Sequence, residues 1–189
     1  MELRPEFLIK TVLKTMRDTV LPAVDPDNKL ATEQAQLVIG MLDLALSRFP
    51  VMFRFDRDEL ERTLGLVESL QAEAANIPDA AAQLKTLASK ADAGKQVLIH
   101  TQVAPDELVK ANFELRKEIG ELITALYANA KNNDLKPIST LITSHAKEQL
   151  LRDRAFLIAQ GWEADPQAIP ELETLLSGSK ATDAPPTVI

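Results

Sequence analysis

The residues whose spacing comes closest to an acid–base site are His145, Glu148 and Arg152. They lie three and four positions apart, so a helix would place them on one face. An imidazole beside a carboxylate could exchange a proton with a substrate, and the guanidinium could orient that substrate. The same spacing also produces an ordinary, partly exposed row of ion pairs, with further charges at Asp153 and Arg154. We favour the ion-pair row and predict no catalytic residue.

A second candidate is the segment 48–62, which contains three of the six Phe and four of the nine Arg. Arg and Phe are enriched at protein–protein contacts, and an Arg near a helix start could hold a phosphate. In the alternative interpretation, the aromatic rings close one end of a helical bundle while the Arg heads reach water. From this segment we predict a binding surface that consists of Phe53, Arg54, Phe55, Arg57 and Arg62.

A third candidate is Asn112, which lies within an otherwise apolar helical stripe. A buried Asn can fix the register or the oligomeric state of packed helices. An Asn near the start of a helix can equally well be half exposed. The sequence leaves both interpretations open.

Several common sites are excluded by residue type. The chain has no Cys, which removes disulfides, thiolate nucleophiles and Cys-ligated metals. Its six glycines form neither a dinucleotide fingerprint nor a phosphate-binding loop. The segment 25–30 begins like a calcium loop but has Leu30 where glycine is needed. Neither of the two histidines follows a Glu by three positions, as a di-iron bundle requires. We therefore predict no metal and no cofactor.

The charge balance argues against binding to nucleic acid. There are 21 Lys plus Arg against 28 Asp plus Glu, and aromatic residues make up 4% of the chain. No secretory signal is visible at the N-terminus, and the longest apolar run, Leu37 to Leu46, is interrupted by Asp43 and too short to span a bilayer. We expect a cytoplasmic protein without membrane contact.

The hydrophobic periodicity predicts an all-α fold, a bundle of five to seven mostly antiparallel helices. The second helix has so broad an apolar arc that we expect it to be central and largely buried. We expect Pro50 to end that helix, and the Asp56-x-x-Glu59 pattern to cap the next one. The predicted helices start near Pro5, Asp27, Asp56, Pro78, Pro105 and Pro137, and glycine caps are predicted at Gly94 and Gly161.

The predicted domain organisation is a helical bundle over residues 1–162 and a C-terminal tail over residues 163–189. Whether a boundary falls within residues 76–104 is left open. The tail is expected to contain one short helix between Pro170 and Leu176 and to be disordered from Ser177.

The opening of the chain resembles a small bacterial helical domain of unknown function. The resemblance is carried by Phe7-Leu8-Ile9-Lys10, by Val20-Leu21-Pro22-Ala23 at the end of the first helix, and by the apolar second helix from Ala31 to Leu46. It covers about residues 5 to 75. Domains of that kind are associated with acyl-CoA dehydrogenase-like and phosphotransferase-like proteins. The resemblance implies an accessory protein and identifies no catalytic residue.

Together these features predict a non-catalytic interaction protein or accessory subunit, either a homo-oligomer or bound to a protein partner. The alternative is a helical bundle that binds a small acyl or phosphate-bearing ligand between its helices. In that case Arg54, Arg57 or Arg62 would hold the anion.

Overall fold

A computed structural model describes residues 4–77, 80–100, 102–129 and 135–176. Within these ranges the regular structure is helical and no strand occurs, which confirms the predicted all-α class. The predicted helix start at Pro78 and the predicted disorder from Ser177 lie outside the described residues.

The helices follow one another with short connections. In chain order they are α1 (Pro5–Thr15), a π-helical turn (Met16–Val20), α2 (Leu21–Ala23), α3 (Lys29–Ala74), α4 (Ala81–Ile99), α5 (Pro105–Asn129), α6 (Lys136–Leu157) and α7 (Leu172–Leu175). Two 3₁₀ turns, Ile158–Gln160 and Pro166–Ala168, connect α6 to α7. The helix predicted between Pro170 and Leu176 is present as α7.

The segment that resembled a calcium loop forms the start of α3. The Asn28 side-chain oxygen accepts a hydrogen bond from the Ala31 amide at 3.1 Å, which caps the helix. The Asp25 carboxylate accepts one from the Asp27 amide at 3.0 Å and tightens the preceding turn. These oxygens therefore satisfy backbone donors at a helix start that otherwise have no partner.

The prediction that Pro50 separates two helices is wrong, because α3 runs unbroken from Lys29 to Ala74 with Pro50 inside it. The predicted cap at Asp56 is wrong for the same reason, since Asp56 and Glu59 lie in the helix interior. An interior proline removes one backbone hydrogen bond and costs about 3 kcal/mol. Burial of Phe55, Leu60, and the apolar residues that follow offsets that cost.

The chain forms two compact units, and neither is continuous in sequence. Unit 1 contains Met1–Met52 and Asp153–Glu171, and unit 2 contains Phe53–Arg152 and Leu172–Ile189. The α3 helix therefore contributes to both units, with the division shortly after Pro50. Residues 76–104 all belong to unit 2.

Unit 2 has a well-formed apolar core. The predicted apolar stripe around Asn112 on α5 is confirmed, and the apolar residues of α3 from Leu60 to Ala74 belong to the same core. The largest apolar side chains that are fully buried in this core are Leu60, Val67, Leu70, Leu87, Leu108, Leu115, Leu122, Leu126 and Ile138. Helix α4 packs against α5, and its Ala91 and Gly94 are buried.

The two predicted glycine caps have different outcomes. Gly161 is confirmed as a cap, because it follows the 3₁₀ turn with a positive φ of 71°. Gly94 is not a cap, since α4 continues past it to Ile99. A Cβ added at Gly94 would lie 3.5 Å from side-chain atoms of Leu64 and Leu115, which is ordinary van der Waals contact.

Unit 1 contains α1, the π-helical turn, α2, and the first half of α3, together with the segment that follows Arg152. Leu13 of α1 is buried, and Arg17 of the π-helical turn pairs with Asp43 of α3. The prediction that this half of α3 is largely buried is wrong: Leu30 is 68% exposed and Met41 is 43% exposed. The apolar arc of the helix is broader than the side that unit 1 itself covers.

Candidate interaction surface

The most prominent apolar surface of unit 1 is a line of exposed side chains on α3. Steps of four, seven and eleven residues return to nearly the same side of an α-helix. Such steps join Leu30 to Leu37, Leu37 to Met41, Met41 to Met52, and Val38 to Phe49. We call these residues the α3 stripe; its members are Leu30, Leu37, Val38, Met41, Phe49 and Met52.

The two charged residues in this part of α3 are engaged within unit 1. Between Gln34 and Phe53 the sequence contains only Asp43 and Arg48 as charged residues. Asp43 forms an ion pair with Arg17. The Arg48 guanidinium donates to the Phe156 carbonyl at 2.6 Å and lies 5.5 Å from the centre of the Phe156 ring. From Leu37 to Met52 the stripe is therefore left without a free charge, and the exposed Glu33 borders it between Leu30 and Leu37.

By length and composition alone, α3 could cross a membrane, and it is the one described helix that could. This corrects the expectation that its apolar run is too short. The central helix of a soluble protein passes the same test when it is mostly buried. In the most apolar 18-residue stretch of α3, however, only 6% of the stretch is buried, so this helix is not the buried centre of a soluble fold.

Further exposed apolar residues lie elsewhere in unit 1. Phe7, Leu8 and Val12 of α1 are each about half exposed, and Trp162 is 66% exposed. Isolated exposed apolar residues are normal on a protein surface. Six on one side of one helix are not, because contiguous apolar patches of several hundred Å² usually mark an interaction site.

The structure separates the five residues of the predicted binding surface. Phe53 and Arg54 are exposed. No hydrogen bond or ion pair joins Arg54 to another described residue. Phe55 is buried, and Arg57 and Arg62 are partly buried and hydrogen bonded to main-chain carbonyls of unit 2. A binding role for Phe53 and Arg54 stays a prediction, and the structure does not place all five on one open face.

Three arginines of the segment 48–62 bind the C-terminal ends of other helices. Arg48 donates to the last turn of α6, through the carbonyls of Phe156 and Ala155. Arg57 donates to the Leu98 carbonyl of α4 at 2.8 Å, and Arg62 to the Leu175 carbonyl of α7 at 2.9 Å. Carbonyls in the last turn of a helix have no partner within it, and a cation also interacts favourably with the helix dipole there. This accounts for much of the local arginine enrichment.

A buried ion cluster surrounds Asp58 in unit 2. Arg152 is 1% exposed and its Nη2 lies 2.5 Å from the Asp58 carboxylate, which is 3% exposed. Arg62 reaches the same carboxylate at 3.0 Å and also binds Glu148 at 3.1 Å. The Arg152 guanidinium lies over the Phe55 ring, 4.7 Å from its centre. Two cations thus share one buried carboxylate.

His145 lies half-buried beside this cluster. Burial lowers the pKa of His145 below its ordinary value of 6.5, while the Glu148 carboxylate acts in the opposite direction. Because Glu148 binds Arg62 and Arg152 binds Asp58, both are held by partners other than His145. The arrangement matches the ion-pair interpretation of the spacing, although Arg152 is buried rather than partly exposed.

Asn112 is 4% exposed, so the half-exposed interpretation is wrong. Its side-chain nitrogen donates to the Asp56 carbonyl of α3 at 3.0 Å, whereas its side-chain oxygen has no hydrogen-bond partner among the described residues. The contact fixes how α5 lies along α3 within unit 2. Asn112 therefore fixes the register of two helices of the same chain.

A cavity of about 520 Å³ lies between α4 and α5 in unit 2. Its apolar lining includes Gly94, Val97 and Ala111. Its polar lining includes two lysines, two glutamates and a histidine, namely Lys90, Lys110, Glu107, Glu114 and His100. The volume is in the range of small-molecule sites. None of the five residues of the predicted binding surface lines it.

The α3 stripe escaped sequence reasoning although its signal was visible. When apolar residues occupy two adjacent faces of a helix, both faces must pack against other apolar groups to be shielded from water. One side was assigned correctly to the protein's own interior, and the other was assigned there as well. A partner face and a core face have the same composition, so the pattern alone does not separate them.

Comparisons with protein-family models, with curated proteins and with solved structures find no match to this chain.

Proposed function

We propose that this protein is a non-catalytic binding protein whose α3 stripe is covered by another protein chain. The observation that supports the proposal is the side of α3 that unit 1 leaves open, where six large apolar residues are between 40% and 68% exposed. Exposed apolar surface of this extent is unfavourable in water, at roughly 25 cal/mol per Å². Binding to a partner would remove that cost.

The surroundings of the stripe support a protein partner over a charged ligand. Asp43 and Arg48 already have partners within unit 1. A surface whose charges are internally paired offers shape and apolar contact, which are the main components of interface cores. We further propose that the protein works in the cytoplasm, in keeping with the expectation from the sequence.

The test is methionine oxidation, because Met41 and Met52 lie on the stripe and Met16 lies outside it. Full-length protein is treated with hydrogen peroxide in its native lysate and again after purification and dilution. Sulfoxide formation at each methionine is then measured by mass spectrometry. We expect Met41 and Met52 to be oxidised several-fold more slowly in the lysate, with Met16 unchanged as the internal reference.

Equal oxidation rates under both conditions would refute the proposal when sedimentation shows that the purified, diluted protein is a monomer. Protection that is found in the membrane pellet and is absent from the soluble fraction would assign the cover to lipid, and would refute a protein partner. The same measurement on the variant Gln36→Met reports on an exposed position outside the stripe and should show no protection.

The cavity between α4 and α5 favours a second candidate function, the binding of a small ligand in unit 2. Its volume of about 520 Å³ is in the range of small-molecule sites, and its lining combines apolar residues with two lysines and two glutamates. Inorganic phosphate and octanoate serve as separate probes in thermal unfolding. An increase in the unfolding temperature that is lost in Ala93→Trp, which fills the cavity, would support this function. No increase with either probe would argue against it.

A further inference from the structure

We infer that the chain that covers the α3 stripe is a second copy of this protein. The inference rests on the proposed function and names the partner. Its starting point is that the stripe can face its own copy without repulsion. Two copies of a charged surface would oppose each other. From Leu37 to Met52, however, Arg48 is the only charged residue within the arc of the stripe, and it is bound to carbonyls of unit 1.

The exposed area is sufficient for a pair of copies. The six side chains are between 40% and 68% exposed, and five of them are aliphatic and smaller than an aromatic ring, so each presents roughly 80 Å². Together they present roughly 500 Å² per copy, so two copies would bury on the order of 1,000 Å². That is about the minimum area expected of a biological interface.

The stripe also has the layout that a two-fold interface needs. It extends over 23 residues of one helix, from Leu30 to Met52, and the rise between those two residues is about 33 Å. Met41 lies at its midpoint, eleven residues from each end. A two-fold axis through the middle of the stripe brings Met41 against its own copy, and all six side chains are buried in one step.

The experiment uses the absence of cysteine from the chain. In the full-length variant Met41→Cys, every thiol is at the centre of the stripe, so a disulfide can form only between two copies. The matched control is Gln36→Cys, an exposed residue of α3 that lies about 160° around the helix from the stripe. Both proteins are exposed to mild oxidant over a range of concentrations and resolved by mass under denaturing, non-reducing conditions.

We expect Met41→Cys to form a species of twice the chain mass at least about tenfold faster than Gln36→Cys. Equal rates for the two variants, or no such species from either, would refute the inference. A second measurement is independent of cysteine chemistry: sedimentation of the wild type should show a dimer, and Met41→Asp should dissociate at least about tenfold more readily with its helix content unchanged. A wild type that stays monomeric at all concentrations also refutes it.

These outcomes are separate from those that test the proposed function. If Met41 and Met52 are protected in lysate but the purified protein is monomeric and does not cross-link, the stripe binds a different protein. The inference then fails while the proposed function stands. If the methionines are never protected and the protein is monomeric, both fail.

Discussion

Arg152 and Asp58 are charged side chains that lie almost completely out of contact with water in unit 2. Removing one member of such a pair leaves an unpaired charge in the interior, which typically costs 3–5 kcal/mol. We expect Arg152→Ala to lower the free energy of unfolding by at least about 3 kcal/mol, because the buried Asp58 carboxylate then loses the buried cation that pairs with it. Urea denaturation measures this directly.

The control for this prediction is Arg154→Ala. Arg154 is exposed and pairs with Glu163 at 2.6 Å, and exposed pairs contribute about 0–1 kcal/mol. The double variant Asp58→Asn, Arg152→Met removes both charges and should recover part of the loss. A loss below about 1 kcal/mol for Arg152→Ala would contradict the buried ion pair between Arg152 and Asp58.

His145 gives the protein a pH-dependent stability of defined sign. Its pKa is lowered by burial, so the unfolded chain binds the proton more tightly than the folded protein. Stability should therefore fall as the pH drops through the ordinary histidine value of 6.5. We expect the unfolding free energy of His145→Gln to depend less on pH between 5.5 and 7.5 than that of the wild type.

In that comparison the contribution of Asp56 cancels. Burial raises the pKa of Asp56, so this carboxyl stabilises the fold as the pH falls through its folded-state pKa, opposite in sign to His145. Because Asp56 is present in both proteins, the difference between them isolates His145. Identical pH profiles would mean that His145 is equally solvated in the folded and unfolded chains.

At the level of elements, α3 tolerates a proline in its interior. Alanine at position 50 restores a backbone donor and removes the clash of the proline ring with the preceding turn. We expect Pro50→Ala to raise the unfolding free energy by about 1–3 kcal/mol. The matched control is Pro105→Ala, because Pro105 is the first residue of α5 and a donor there has no partner within the helix. A Pro50→Ala variant no more stable than the control would contradict the continuous helix.

Two glycines should respond to alanine in opposite directions. Gly94 lies inside α4 with room for a Cβ in ordinary contact, so Gly94→Ala should stabilise the protein by about 0.5–1 kcal/mol. Gly161 has a φ of 71°, so Gly161→Ala should destabilise it by about 1 kcal/mol. Thermal unfolding of the two variants beside the wild type gives both signs in one experiment.

The features that were predicted correctly from the sequence are those that depend on local physical chemistry alone. The core stripe of α5 and the cap at Gly161 follow from helical spacing and from backbone sterics. The unbroken α3 did not follow, because the local penalty of Pro50 is outweighed by burial that is set by the whole fold. None of the five residues of the predicted binding surface belongs to the α3 stripe. Arg57 and Arg62 carry the composition of an interface but bind helix ends that are distant in sequence.

At the scale of the whole molecule, pairing of two copies makes stability depend on concentration. Association stabilises the folded state by mass action. For a chain of this size we expect the unfolding temperature to rise by about 2 °C for each tenfold increase in protein concentration. Met41→Asp should remove that dependence, while the surface variant Gln36→Asp should keep it. A concentration-independent unfolding temperature in the wild type would contradict pairing.

The discontinuous composition of unit 1 sets an order of events during synthesis. One hundred residues separate Met52 from Asp153, and at about 5–20 residues per second a ribosome takes roughly 5–20 s to make them. Throughout that time the Arg48 guanidinium lacks its carbonyl acceptors at Ala155 and Phe156. The apolar first half of α3 is thus synthesised early but completed late. The arrival of the last quarter of the chain therefore decides when its first quarter reaches its final structure.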